Sequence, residues 1–266
     1  MALLLKKIYL GYFWLFEDIA DPRPMEMGLF LMSSPFEPGI LVGLYLYFVL
    51  KLGPELMKNR KPFDLRNVII IYNAIQIVIN TYVAYEAFIE IYFYSNWDCS
   101  PIDYSHSPRN KYVVRMYHLF FLIKVVDLID TVFFVLRKKQ QQVTFLHIYH
   151  HFGMVLILWI CTKFYAGGHG TWTGLINSTV HSIMYTYYLL AALDEKWKKS
   201  LSLKKFITLM QMAQFLSFII IYGRLLLKPS CKYPKLISFF FVPQNFFMLL
   251  LFADFYRRAY FSKKKN

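Results

Sequence analysis

The sequence predicts an all-α membrane protein of seven transmembrane helices, forming one domain over residues 1–266. Three observations predict it. The chain is 57% hydrophobic and 20% aromatic but only 17% charged, too little charge for a soluble domain of this length. Seven apolar runs follow at about 36–56, 67–94, 113–136, 143–164, 171–193, 204–227 and 236–256, each near or above the roughly 20 residues that cross a bilayer. The cations between the runs also alternate in density, as they do on the two sides of a membrane.

Residues 1–35 precede the first run. They hold Trp14, Phe16 and the acidic–proline stretch EDIADPRP, and they lack the features of a cleaved signal peptide. An interfacial, partly helical lead-in is expected. One set of connections then carries Lys58, Arg60, Lys61 and Arg66; Arg137, Lys138 and Lys139; Lys196, Lys198, Lys199, Lys204 and Lys205; and Arg257, Arg258, Lys263, Lys264 and Lys265. The opposite set carries Lys6, Lys7 and Arg23; Arg109 and Lys111; and Lys228, Lys232 and Lys235, fewer than half as many. The positive-inside rule puts the richer set in the cytosol, the amino terminus outside and the carboxyl terminus inside. This placement accounts for much of the net charge of +14. No basic stripe with interleaved aromatics accompanies that charge, so the bilayer is the expected partner and nucleic acid is not.

Three cysteines make neither a disulfide framework nor a zinc pattern. Cys99 and Cys231 fall in loops on the non-cytosolic side, where disulfides persist, and are expected to be bridged; two free thiols are the alternative. The terminal KKKN places Lys263 and Lys264 as a dilysine signal for return to the endoplasmic reticulum, with an ordinary basic tail as the alternative.

Polar groups inside the runs carry the chemistry. In the fourth run His147, His150 and His151 are spaced to share one helical face near one membrane interface. Three imidazoles in a membrane helix mark a functional site, against a hydrated structural cluster. In the third run Lys124, Asp127, Asp130 and Thr131 share a face. Lys124 and Asp127 neutralise each other there, as part of a polar cavity or as a structural ion pair, and Asp130 is placed to orient a histidine of the next run. In the fifth run Asn177, His181, Tyr185 and Tyr188 recur at spacings of four and three. The acceptor pattern Asn177-Ser178-Thr179 lies within that run and is not read as a glycosylation site. In the sixth run Gln211 and Gln214 suit either bonding between helices or contact with an amide-rich ligand.

Counting 1.5 Å per residue from the cytosolic side puts the histidines of the fourth run within ~15 Å of that interface, Asp130, Thr131 and Gln211 at ~10 Å, and His181 and Lys124 at ~20 Å. The polar groups converge in the cytosolic half, and Phe, Leu, Ile and Tyr are left to line the other. That division fits a substrate with a charged head and a long apolar tail.

DPR at 21–23, MSSP at 32–35, GPELMKNRKPFDLR at 53–66, FFVLRKK at 133–139, HIYHH at 147–151, NSTVHSIMYTYY at 177–188 and TLMQMAQF at 208–215 stand in this order. With them the chain resembles the very-long-chain fatty acid elongases, membrane condensing enzymes of the endoplasmic reticulum. The resemblance covers nearly the whole chain. One departure is Asp127, where the family's box has Glu, one methylene longer. The NS before His181 resembles the branch acting on longer saturated or polyunsaturated chains.

The resemblance implies a seven-helix fold enclosing a narrow substrate tunnel, and an acyltransferase that condenses a long-chain acyl-CoA with malonyl-CoA. It implies no cofactor or metal beyond these substrates, residence in the endoplasmic reticulum membrane, and contact with further copies and with later elongation-cycle enzymes. The chemistry needs a nucleophile, an activating base and a stabilised enolate. Cys161 points within about 20° of His150 but lies ~16 Å farther along the helix, out of reach of a base on that helix, and is read as packing. A neutral imidazole is the better nucleophile. His150 takes that role, with His181 as base or second participant, and His147 and His151 orient ring and carbonyl. Asp130 stands behind them, and Asn177 or a glutamine stabilises the enolate. Arg137, Lys138, Lys139, Lys204, Lys205, Arg257 and Arg258 crowd the cytosolic ends, where some meet the CoA phosphates and topology explains the rest. A di-iron desaturase or hydroxylase also uses HxxHH but needs about eight histidine ligands, and this chain has 7 histidines. A seven-span receptor or transporter is the non-enzymatic alternative.

Overall fold

The computed structural model describes residues 2–261. Lys263 and Lys264 of the dilysine reading lie outside the described residues. Among the described residues the chain is helical, with no strand. A leading helix, α1 (Ala2–Phe13), runs on as a π-helical turn to Ile19 and turns Leu4, Leu5, Tyr9, Leu10 and Trp14 outward. Seven helical rods follow: α2 (Phe36–Met57), α3 (Arg66–Tyr94), α4 with α5 (Pro108–Asp127 and Ile129–Leu136), α6 (Phe145–Phe164), α7 (Thr171–Leu193), α8 (Leu201–Leu227) and α9 (Lys235–Tyr260).

The rods coincide with the seven apolar runs, with ends set by caps rather than by hydropathy. Ser107 accepts from the Asn110 N–H with Pro108 in the first helical position, so α4 starts five residues before its apolar run. Thr144 caps α6 and Ser200 caps α8 in the same way. Five rods, α2, α3, α6, α8 and α9, are long and apolar enough to cross a membrane. The rods of α4–α5 and α7 miss that mark, because Arg109, Lys111, Arg115, Lys124, Asp127 and Asp130 interrupt the first and Asn177, Ser178 and His181 the second. Composition thus supports five of the seven expected spans.

Packing arranges six rods as a closed ring in the order α3, α4, α6, α9, α8, α7 and back to α3, with α2 outside against α5 and α6. The lead-in is fastened to this ring. Arg23 and Asp21 form a buried ion pair (2.6 Å), and Arg23 Nη1 also donates to the carbonyls of Asp103 (2.9 Å) and Ser105 (3.2 Å). A left-handed turn at Leu31 (φ 63°) then presents two carbonyls to the ring. That of Leu31 accepts from Trp159 Nε1 (2.6 Å), and that of Phe30 lies 2.9 Å from His118 Nε2. Cys99 and Cys231 are joined in a disulfide that ties the loop after α3 to the loop after α8.

Candidate active site

The site begins at the join between α4 and α5. The Leu128 N–H bonds to the Val125 carbonyl and the Thr131 N–H to the Leu128 carbonyl, each three residues back, so the helix tightens for one turn. The tightening splits the polar face in two. On the α4 side, Lys124 Nζ lies 3.0 Å from Asp127 Oδ2 and 3.3 Å from His181 Nδ1, and all three residues are buried. On the α5 side, Thr131 Oγ1 lies 2.9 Å from His147 Nε2 and 2.8 Å from the Tyr45 hydroxyl of α2. Among the described residues Asp130 hydrogen-bonds no histidine, contrary to expectation. Past the tightened turn its carboxylate points to Tyr185, whose hydroxyl is 2.8 Å from Asp130 Oδ2 and 3.0 Å from Asp127 Oδ1. The orienting partner of the HxxHH face is therefore Thr131, and the carboxylate beside His181 is Asp127.

The histidine face of α6 is formed as its spacing requires. The His147 and His151 rings are 4.1 Å apart, and the His150 and His151 rings 5.5 Å. His150 and His181 lie within electrostatic reach of each other across the ring. Among the described residues His147 is anchored by Thr131, while the His150 ring nitrogens make no hydrogen bond. On α7, Asn177, His181 and Tyr185 are buried in line, but Tyr188 at the end of the stripe is 41% exposed. Asn177 Nδ2 reaches Gln214 Oε1 at 3.4 Å and Gln211 Nε2 reaches Met184 Sδ at 3.4 Å, so both glutamines of α8 contact α7. Asn177 Oδ1 is buried without a partner.

One part of the site was not expected from the sequence. Helix α3 contributes a buried amide stripe, Asn73, Gln76 and Asn80, with Tyr72 beside it. Gln76 Nε2 donates to Asp127 Oδ1 (2.8 Å) and to the Tyr72 hydroxyl (3.0 Å), and Asn80 Nδ2 donates to Gln76 Oε1 (3.1 Å). Amides hardly disturb an apolar run, but the 3–4 spacing of these residues was there to be read.

The basic residues divide. Arg257 and Arg258 pair with Asp254 on their own helix, and exposed Lys138 donates to the Lys58 carbonyl. Lys205 lies over the Tyr260 and Phe261 rings, and Lys204 is half-buried at the start of α8. Lys139 is half-buried: burial, with the Arg137 and Lys198 cations nearby, holds its ammonium below the ordinary lysine value. An anion bound there would relieve that repulsion.

Beyond the polar cluster the ring lines a largely apolar cavity of about 260 Å³, with Glu86, Glu90 and Arg109 on its border. Phe120, Leu158 and Gly174 line its near part, and Tyr117, Cys161, Thr173, Tyr222 and Tyr233 its wall towards the disulfide-tied loops. Cys161, a free thiol, lies on this wall away from the histidines. Among the described residues no group of three His, Cys, Asp or Glu side chains is arranged to hold a metal ion.

Residues 30–266 match the model of the ELO: GNS1/SUR4 family. Curated relatives agree. A very long chain fatty acid elongase of Aedes aegypti is 39% identical over all of this chain and 74% of its own length. Very long chain fatty acid elongase 7 of Rattus norvegicus is 40% identical over 91% of this chain and 87% of its own, and elongase 1 of Homo sapiens is 39% identical over 92% and 88%. With a family match over most of its length and relatives at this identity, the chain is a multi-pass membrane protein of the GNS1/SUR4 family.

Proposed function

We propose that the protein catalyses the condensing step of fatty acid elongation: a long-chain acyl-CoA and malonyl-CoA give a 3-oxoacyl-CoA two carbons longer, carbon dioxide and free CoA. The observation that carries this reading is a histidine cluster at one end of a helical ring whose interior continues as an apolar cavity. Phe120 is one turn from Lys124, and Gly174 three residues from Asn177, so the cavity begins ~5–6 Å from the polar cluster. A thioester at the histidines thus has its tail directed into the cavity.

In this reading the His150 imidazole, free of competing hydrogen bonds, attacks the thioester carbonyl. The C–S bond breaks, CoA leaves as the thiolate and takes up the proton that the ring gives up, and the acyl group is held as an acyl-imidazole. Malonyl-CoA then loses carbon dioxide, and its enolate carbon attacks the acyl carbonyl; the C–N bond breaks and the departing ring takes a proton from water to return as neutral imidazole. His147, fixed by Thr131, and His151 set the ring's position, and Arg137, Lys139, Lys198 and Lys204 meet the phosphates of CoA. All seven rods cross the bilayer, the least apolar of them with their polar stripes buried against neighbouring rods. The amino terminus is lumenal, the carboxyl terminus cytosolic, and the membrane that of the endoplasmic reticulum. No cofactor is required, and further copies or later enzymes of the cycle are the expected protein partners.

The test is two-carbon extension of a panel of acyl-CoAs with labelled malonyl-CoA in membranes, wild type beside His150→Ala. Extension by wild type that is lost in the mutant supports the reading, and absence of extension by folded wild type overturns it. Acyl label still bound covalently by His150→Ala would move the nucleophile elsewhere.

A further inference from the structure

The contacts of His181 fix which of its nitrogens carries the proton. A lysine ammonium has three donors and no acceptor. Lys124 Nζ, at 3.3 Å from His181 Nδ1, can therefore only donate to that nitrogen, which must present a lone pair. Lys124 is read as an ammonium from what surrounds it. Asp127 Oδ2 is 3.0 Å away, and the Phe120 ring face lies 5.3 Å from the ammonium. The Asp127 carboxylate is in turn held by Gln76 Nε2 at 2.8 Å and the Tyr185 hydroxyl at 3.0 Å. Asn80 closes this chain by occupying Gln76 Oε1, which leaves the Gln76 NH₂ directed at Asp127.

The usual partner of a buried imidazole is a carboxylate that accepts from Nδ1–H and leaves Nε2 as a base. Here Asp127 Oδ2 stands 3.7 Å from His181 Nδ1, too far for a hydrogen bond, while Lys124 Nζ is within hydrogen-bond reach of both. Lys124 thus reverses the polarity of the ring. Nε2 holds the proton and makes no hydrogen bond among the described residues.

We infer that Lys124 is a positioning residue that holds His181 as the Nε2–H tautomer, and that His181 serves condensation as a hydrogen-bond donor to the reacting carbonyl oxygen rather than as a base or nucleophile. The identity of that oxygen rests on the condensation reading. The two histidines then divide the work: unbonded His150 attacks, and His181 stabilises the negative charge that develops on oxygen.

The tautomer is read without turnover, from the ring ¹⁵N shifts of histidine-labelled protein, with His181→Gln identifying the signals. An unprotonated Nδ1 and a protonated Nε2 are expected at neutral pH. Lys124→Met should let the proton move to Nδ1, facing Asp127, while Lys124→Arg, also a pure donor, should preserve the wild-type pattern. A protonated Nδ1 in wild type overturns the inference, and that measurement stands even if Lys124→Met fails to fold. The donor role is read from elongation. His181→Ala should lose about 10²–10³-fold in kcat, as removal of one oxyanion donor does, and His181→Gln, which keeps an N–H, should recover at least tenfold of that loss. Equal loss in the two variants overturns the donor role. If wild type extends no acyl-CoA at all, the condensation reading and the donor role fail together, while the tautomer result is unaffected.

Discussion

Thr131→Val is the sharpest perturbation of the histidine face. Valine replaces threonine at nearly constant shape, so what is lost is the hydroxyl that joins the Tyr45 phenol at 2.8 Å to His147 Nε2 at 2.9 Å. Thr131 is 0% and Tyr45 7% exposed, so water does not replace the bond to the phenol, whereas His147 is half-buried. A buried polar group left without a partner costs about 1–3 kcal/mol, and the phenol is one, so a loss of about 1–3 kcal/mol is expected. Thermal unfolding of detergent-solubilised wild type, Thr131→Val, Tyr45→Phe and the double variant forms a cycle. Tyr45→Phe should destabilise wild type but cost little or nothing in the Thr131→Val background, because there it removes a phenol already stranded; the coupling should be about 1–2 kcal/mol. Elongation should fall about 10–100-fold in Thr131→Val as the His147 ring loses its tether, and Thr131→Ser should retain most of it. Wild-type elongation in Thr131→Val, with the same cost for Tyr45→Phe in both backgrounds, would refute the tether.

Three further outcomes follow from other parts of the molecule. The Cys99–Cys231 bond closes 132 residues of sequence, which chain entropy alone values at about 5 kcal/mol; insertion in a bilayer already restricts the unfolded chain, so that is a ceiling. Cys99→Ser, Cys231→Ser and the double variant should unfold at the same lowered temperature, and additive losses would show that no bond links them. In the loop before α7, buried His169 is held below the ordinary imidazole value by burial and by the Arg224 cation. The folded state then binds fewer protons than the unfolded one, so stability should fall as pH drops below about 6.5 and level off beneath the lowered value. His169→Gln should flatten that acid loss in unfolding scans from pH 7 to 5, and an unchanged slope would move its origin elsewhere. A Cβ added at Gly174 would sit 3.8 Å from Ala87 Cβ, an ordinary contact, so Gly174→Ala is tolerated and takes up cavity space. Its acyl-CoA profile should shift to shorter chains, with tenfold or greater loss for each methylene that no longer fits; an unchanged profile would place the acyl tail outside this cavity.

How much of this was legible depended on the kind of residue. Charged and aromatic groups in apolar runs are conspicuous, and helical spacing sufficed to align Lys124 with Asp127 and Asn177 with His181 and Tyr185. Spacing assumes an unbroken 100° step, which is why Asp130 was misplaced. The i−3 bonds at Leu128 and Thr131 shift the phase by part of a turn, and nothing in LIDT announces them. The amide stripe of α3 went unread because hydropathy averages it away, although Asn73, Gln76, Asn80, Val83, Ala87 and Ile91, the buried residues of that helix, recur every three or four positions. Tyr45 was invisible for another reason: its role depends on which helix packs outside the ring, and that is a tertiary fact.

The two rods least able to cross a membrane by composition are the two that carry Lys124, Asp127 and His181, and the ring explains how they are sheltered. A charged side chain facing lipid is costly at membrane depth. Lys124 and Asp127 are 2% exposed because α4 turns them to α7, and α7 is in turn held along its length by α3, whose buried face supplies Gln76 and Asn80. Each polar stripe is thus closed by the next: an ammonium by a carboxylate, the carboxylate by an amide, that amide by another. Hydrogen bonds aligned this way hold a catalytic geometry before substrate arrives, which is the condition for electrostatic stabilisation without reorganisation. The apolar cavity beyond has the complementary property, offering contact area without direction. An amphiphile whose reactive carbonyl joins a charged head to a hydrocarbon tail satisfies both halves at once. A soluble metabolite would leave the cavity empty, and a simple lipid would leave the histidines without a reacting group.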